Sequence, residues 1–382
     1  MKRLLDLATR LKLDAEQSEA KSLWVAAELK TRRAKLKEDD VAGLKALLVW
    51  AEQKAGGVGA EELAREVVKL DPKDETAHLL LGHIRDGDNW VDPWDLLVKR
   101  GGLKDVKVRY EIHKMVEAAK KRPAVKYPPE PLASLTPIKK ARYGVYWLAS
   151  IPGDGKGRQY VFAPPFYTPA KTWPLIVALH GGGSGPAEAE AHSTMSWYSG
   201  RFKDEGFICI VPIARNHVIN SWNIKENMLD VIDGIEQACQ LFHIDLKRIY
   251  LEGASMGAQG TSRFSWVVPE LFAAFSPQAG AYWNNHPVPD LTGKPFLVFH
   301  GGKDEDFRNK SLNVFLKKIR QANASVEYNR FPDAGHFLPY KEVYPKVFEF
   351  FRKHTNDFAP DLKLVRRVIE ETVIEKPAKP PK

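Results

Sequence analysis

The chain has little with which to cross-link itself. Two cysteines among 382 residues, Cys209 and Cys239, exclude a disulfide scaffold and a thiolate metal site. Each lies in an apolar stretch, which predicts a buried, free thiol. No apolar run approaches the roughly 18 residues that a membrane helix requires. The opening Met1-Lys2-Arg3-Leu4-Leu5-Asp6 meets a charge before a signal-type apolar block can form. A soluble chain with no membrane partner is expected, cytoplasmic unless an export signal has already been removed. No H-E-x-x-H spacing, phosphate-cradling glycine pattern or dinucleotide fingerprint occurs, so neither a metal nor a cofactor is expected. The 57 Lys and Arg outnumber the 48 Asp and Glu, giving a net charge of +9. These basic residues are spread along the chain with no aromatic-interleaved stripe, so nucleic acid is not an expected partner.

What is present divides into two textures. Hydrophobic residues at 44% and charged residues at 27% suit a packed globular protein, and the length predicts a large domain with a smaller companion. Over residues 1–122 apolar side chains recur at helical steps, as in Leu4, Leu5, Ala8 and Leu11, and again in Leu44, Leu47, Leu48 and Ala51. Ala60 to Gly82 resembles about one tetratricopeptide repeat, with Leu80-Leu81-Gly82 opening its second helix. Too few units follow for a solenoid, so a small all-helical module is expected. Asp92-Pro93 and Asp105 supply helix starts and Gly101-Gly102 a stop. Arg85 to Val91 reads as a small hairpin.

Five prolines between Pro123 and Pro137 cannot continue a helix and predict a linker over 123–139. Beyond it the pattern changes to short apolar runs separated by amphipathic stretches, the mark of a mostly parallel sheet with helices on both faces. Eight strands are expected: 143–151 and 158–163 as an antiparallel pair, then 175–179, 207–213, 248–252, 273–276, 295–300 and 326–331. Helices are expected over 187–205, 224–242, 259–267, 311–322 and 343–353. This domain spans 140–356. A carboxyl-terminal extension covers 357–382, and its end, Lys-Pro-Ala-Lys-Pro-Pro-Lys, has nothing to pack and is expected to be disordered.

The chemistry-bearing residues fall at strand ends in this second region. Gly253-Ala254-Ser255-Met256-Gly257 lies between a strand and a helix, where a sharp turn strains the serine backbone and leaves no room for side chains two positions to either side. A serine hydroxyl needs a base to take its proton, and the base needs an acid to fix its tautomer. His336, beside Gly335 after the last strand, is the candidate base. Asp304, after His300-Gly301-Gly302-Lys303, is the candidate acid, with Asp306 in reserve. His180, His217, His243, His286 and His300 are less well placed. Leu179-His180-Gly181-Gly182-Gly183 closes another strand, and its glycines leave main-chain N–H groups free to face an oxyanion. Gly182 and Met256 are the expected donors, with Gly183 as a further possibility. Trp222 and Trp283 lie in loops at the carboxyl ends of strands, where ligands bind in open sheets, and are candidate substrate contacts.

On these motifs, residues of about 140–355 resemble an α/β-hydrolase, related to polyhydroxybutyrate depolymerase-like and feruloyl or acetylxylan esterases and to the catalytic domain of prolyl oligopeptidase-type peptidases. The order Ser, Asp, His matches this fold among the common triad scaffolds. The resemblance implies a serine carboxylesterase forming an acyl-enzyme on Ser255, acting on a small or polymer-linked ester such as a feruloyl, acetyl or polyester substrate. A peptidase of that type would carry a large β-propeller, for which the helical region is too short. Peptidase action on short peptides is the first rival reading. The second is a helical scaffold or binding protein with a residual hydrolase domain, whose partner the sequence does not name.

Overall fold

The computed structural model describes residues 14–54, 57, 59–120, 136–137, 146–151, 156–182, 185–215, 221–282 and 287–373. The chain divides into two compact units, residues 1–96 with 118–122, and residues 97–117 with 123–382. The division falls inside the helix Pro93–Lys99.

The first unit holds helices Asp14–Arg33, Val41–Lys54, Ala60–Leu70 and Glu75–Leu80 and the antiparallel hairpin β1 (Ile84–Asp86) and β2 (Asn89–Val91). Leu44, Leu47, Leu48, Leu63, Val67 and Ala77 bury their side chains together, as the three- and four-residue spacing dictates. Asp74 caps the last helix by accepting the Ala77 N–H, and Lys45 bridges to Asp71 and Asp74. Leu80-Leu81-Gly82 closes this helix instead of opening one: Gly82 has φ of 76°, the left-handed stop that glycine adopts at low cost. The segment over Leu4 to Leu11 lies outside the described residues.

The second unit is built on a nine-stranded sheet in the order β11-β10-β9-β8-β6-β7-β5-β4-β3. Its strands are β3 (Thr136–Pro137), β4 (Trp147–Ser150), β5 (Arg158–Phe162), β6 (Trp173–Leu179), β7 (Ile208–Ile213), β8 (Ile244–Ala254), β9 (Ala274–Gln278), β10 (Pro295–Gly301) and β11 (Ser325–Phe331). β4 to β11 are the eight expected strands. The ninth, β3, is a two-residue edge addition that carries a proline and falls in the expected linker; such a short strand has no pattern to read. β6 to β11 pair in parallel, while β4 and β5 are antiparallel to each other and β5 to β7. The remainder of the linker, and the tail after residue 373, lie outside the described residues.

Helices Ala187–Gly200 and Tyr340–Arg352 cover one face, burying Tyr198, Tyr344 and Phe348 with Ile176, Ala178 and Tyr250 of the sheet. Helices Lys225–Leu241 and Met256–Val267 cover the other: a Cβ on Gly260 would sit 2.6 Å from the Trp222 side chain and 2.7 Å from that of Leu179. The expected helix over 187–205 stops at Gly200. The carboxyl-terminal extension is ordered over the helix Leu362–Thr372, which packs on Lys225–Leu241 through the Arg366–Asp233 ion pair and a Lys225 hydrogen bond to the Glu370 carbonyl. Cys209 is buried, whereas Cys239 is only half-buried.

Helix Val106–Ala119, which the helical period assigns to the amino-terminal module, belongs almost entirely to the second unit. Its Arg109 reaches the Val267 carbonyl at 2.7 Å and pairs with buried Glu270 at 3.3 Å, and its His113 accepts the Asp361 N–H. A helical period reports that a helix forms and says nothing of which core receives its apolar face.

Candidate active site

Ser255 is the turn residue between β8 and the helix Met256–Val267, with φ of 56° and ψ of −114°, a backbone conformation rare outside glycine. The flanking glycines are steric necessities. A Cβ on Gly257 would lie 2.0 Å from the Leu179 carbonyl oxygen, and one on Gly253 would lie 2.5 Å from the Gly257 backbone. The turn is pinned from the next strand, where the Gln278 carbonyl accepts the Ser255 N–H at 2.9 Å.

Asp304 and His336 arrive on the loops that follow β10 and β11. The loops are tied to each other by Gly302 N–H to the Phe331 carbonyl and Lys303 N–H to the Ala334 carbonyl. A Cβ on Gly301 would come 1.9 Å from the Gly335 oxygen, so the glycine beside His300 is what lets them close. His336 Nε2 lies 3.0 Å from Ser255 Oγ, and His336 Nδ1 lies 3.0 Å from Asp304 Oδ2. With the ring proton on Nδ1 facing the carboxylate, Nε2 keeps a lone pair for the serine proton. Asp304 is buried, and its other oxygen accepts the Glu305 N–H at 2.8 Å. Arg308 Nε stands 3.6 Å and His300 Nε2 3.7 Å from the same carboxylate. Burial holds the His300 imidazole below its usual range, opposed by the Asp304 charge. Asp306, the reserve acid, opens the helix Asp306–Gln321, and Asp304 takes the place beside His336.

Gly182 lies against Met256: a Cβ there would be 3.1 Å from Met256 Sδ. Met256 is the first residue of its helix, so its N–H has no partner one turn earlier and remains available. Gly183 lies outside the described residues. His180 organises this loop in a way the sequence reading missed. Its Nε2 accepts the Ala214 N–H at 3.1 Å, which leaves the proton on Nδ1 to be donated to the Gly181 carbonyl at 2.7 Å.

Trp222, expected as a substrate contact, is buried instead. Its ring packs edge-on to His180, and its Nε1–H donates to the His180 carbonyl at 3.1 Å. A loop position at a strand's carboxyl end does not fix which way an indole points, and this one turns into the core. Trp283 lies outside the described residues.

A cavity of about 480 Å³ opens on Ser255, His336 and Gly182. Its walls include Trp197 from the helix Ala187–Gly200, Phe337 next to His336, and Tyr340 and Tyr344 from the following helix. These were not legible as site residues, because helical spacing alone makes them core; only the adjacency of Phe337 to His336 could have flagged one. Behind the cavity, Glu252 is fully buried, accepting the Tyr198 O–H at 2.7 Å and the Gln278 Nε2–H at 3.1 Å. Burial pushes its carboxyl up to about 7, with the Tyr198 hydrogen bond pulling against it. Among the described residues no group of three or more His, Cys, Asp or Glu is arranged to hold a metal ion. Among them, no helix is long and apolar enough to cross a membrane.

The strand order and the strained serine turn give the second unit the α/β-hydrolase fold, with the Ser255, Asp304 and His336 constellation at the carboxyl ends of the strands. The chain is similar to an esterase and to a carboxymethylenebutenolidase. The chain is 28% identical over 177 residues to the bifunctional acetylxylan esterase/xylanase XynS20E of Neocallimastix patriciarum, covering 44% of this chain and 24% of that protein. It is 31% identical over 108 residues to a Salmonella typhimurium protein assigned as a carboxymethylenebutenolidase, covering 24% of this chain and 37% of that one. The chain thus spans well under half the length of either. Among solved structures, a thermostable esterase is similar with 21% identity and a TM-score of 0.44, covering 55% of this chain and 62% of the other. No family model matches the chain.

Proposed function

We propose that the protein is a serine carboxylic-ester hydrolase and that Ser255, His336 and Asp304 are its catalytic triad. The observation that carries this is the pair of 3.0 Å contacts from one imidazole, Nε2 to Ser255 Oγ and Nδ1 to Asp304 Oδ2, beside a cavity that admits an ester. Ser255 Oγ bonds to the ester carbonyl carbon as its proton passes to His336 Nε2, and the carbonyl electron pair moves to oxygen. The Gly182 and Met256 N–H groups hold that oxyanion, and Asp304 stabilises the imidazolium. When the carbonyl re-forms, the ester C–O bond breaks and the alcohol leaves with the proton from His336. Water, deprotonated by His336, then releases the acid and restores Ser255.

Acetyl, feruloyl and polyester-type esters are the substrates proposed, the first on the strength of the acetylxylan esterase relative. The test compares short-chain 4-nitrophenyl esters, acetylated xylan, a feruloylated sugar, a polyester and aminoacyl amides on wild type and Ser255→Ala. Ester turnover that vanishes in the variant supports the reading. Equal rates in both proteins would remove Ser255 from the mechanism, and amide turnover rivalling that of esters would favour a peptidase.

A further inference from the structure

The cavity at Ser255 has an uneven charge lining. Aromatic rings and hydroxyls make most of its wall, with Trp197, Phe337 and Tyr340 beside Ser193 and Thr194. Phe337 is 83% exposed, a large apolar surface left open at the mouth. Among the described lining residues the one carboxylate is that of Glu190, and there is no lysine or arginine. Arg201 stacks over the Trp197 ring at 4.7 Å without lining the cavity. Glu190 uses its backbone carbonyl to accept the Thr194 hydroxyl, while no described partner engages its carboxylate. In a chain of net charge +9, this acid lines the same cavity as Ser255.

We infer that this cavity selects uncharged or cationic esters, and that Glu190 is the specificity residue that excludes anionic ones. The inference rests on the ester-hydrolase reading of the same site. A carboxylate on the substrate would place a further negative charge beside Glu190 and the forming oxyanion, in a cleft less screened than bulk water. A neutral ring meets the aromatic wall without that repulsion, and a cationic group is attracted by both the carboxylate and the ring faces.

The test uses full-length protein and three 4-nitrophenyl esters of similar size: butyrate, hemisuccinate and 4-(trimethylammonio)butyrate. Each kcat/KM is divided by the ester's own hydroxide rate. Glu190→Gln is expected to raise the anionic-to-neutral ratio about tenfold at low salt, and less at high salt. Glu190→Lys is expected to raise it further and to lower the cationic-to-neutral ratio. A purely structural change would scale all three esters together. Ratios that stay within about twofold in both variants, a change too small for a charge that faces the bound ester, would overturn the inference. Ser255→Ala, run alongside, reads the underlying function separately: full activity there overturns the hydrolase reading, whereas flat ratios with a dead Ser255→Ala overturn only the role of Glu190.

Discussion

The second unit contains two buried clusters of charge at opposite edges of one sheet, and they differ in what surrounds them. At the carboxyl ends of the strands, Asp304 holds His336, and His336 meets Ser255 at a cavity. At the amino ends, Arg109 pairs with Glu270, and Lys294 donates to the Phe272 carbonyl and to Asn356. In the second cluster burial lowers Lys294 to about 8 and raises Glu270. It nonetheless joins the helix Val106–Ala119 to the segment that leads into β9 and opens on no described cavity. A shifted titration marks burial among charges; access to a substrate is the added feature that turns such a cluster into a site.

The contrast breaks most visibly at Ser255. Ser255→Ala should lower ester kcat by about 10⁴-fold or more with little change in urea midpoint, because the alanine methyl keeps the packing; steady-state kinetics beside urea unfolding checks both. At the other cluster the order reverses. Arg109→Ala leaves Glu270 buried without its cation, and unfolding free energy should fall by about 3–5 kcal/mol, while the KM of the remaining folded enzyme stays close to wild type.

Glu252 sharpens the comparison, since it is buried behind the active site yet lies off the proposed proton path. Its folded carboxyl is raised from 4.5 to about 7, so the folded state holds an extra proton between those values. The stabilisation is complete below about pH 4.5 and is lost as pH rises through about 7. Glu252→Gln should therefore gain stability over wild type by up to about 3 kcal/mol on going from pH 4 to pH 8, seen as a flatter dependence of the urea midpoint on pH. A parallel dependence in both proteins would contradict the assignment. The smallest effect is expected at Trp222: Trp222→Phe loses the hydrogen bond to the His180 carbonyl and should cost about 1 kcal/mol without a selective loss for aromatic esters. A selective KM rise for feruloyl esters would return Trp222 to the substrate pocket.

Much of this arrangement was legible because it depends on local sterics. The eight strands from β4 to β11 stood out as apolar runs, and Gly253, Ser255 and Gly257 announced a turn that tolerates nothing else. Asp304 was preferred to Asp306 for its place in the loop after an apolar strand, and it is Asp304 that lies beside His336. Trp222 was misread because its loop gave a position but no direction, and the aromatic wall of Trp197, Tyr340 and Tyr344 was hidden because it shares its helical spacing with core residues. The helix Val106–Ala119 was grouped with its sequence neighbours, although its Arg109 finds its partners more than 150 positions away.

The sequence by itself determined the alternation of strands and helices, the strained serine turn and the order of the three candidate triad residues, because each follows from backbone sterics or short-range pattern. Only the tertiary structure decided which charges meet, which aromatic rings face a cavity and which helix joins the second unit. Those are contacts between residues far apart in the chain, and no local pattern encodes the partner on the other side of a contact.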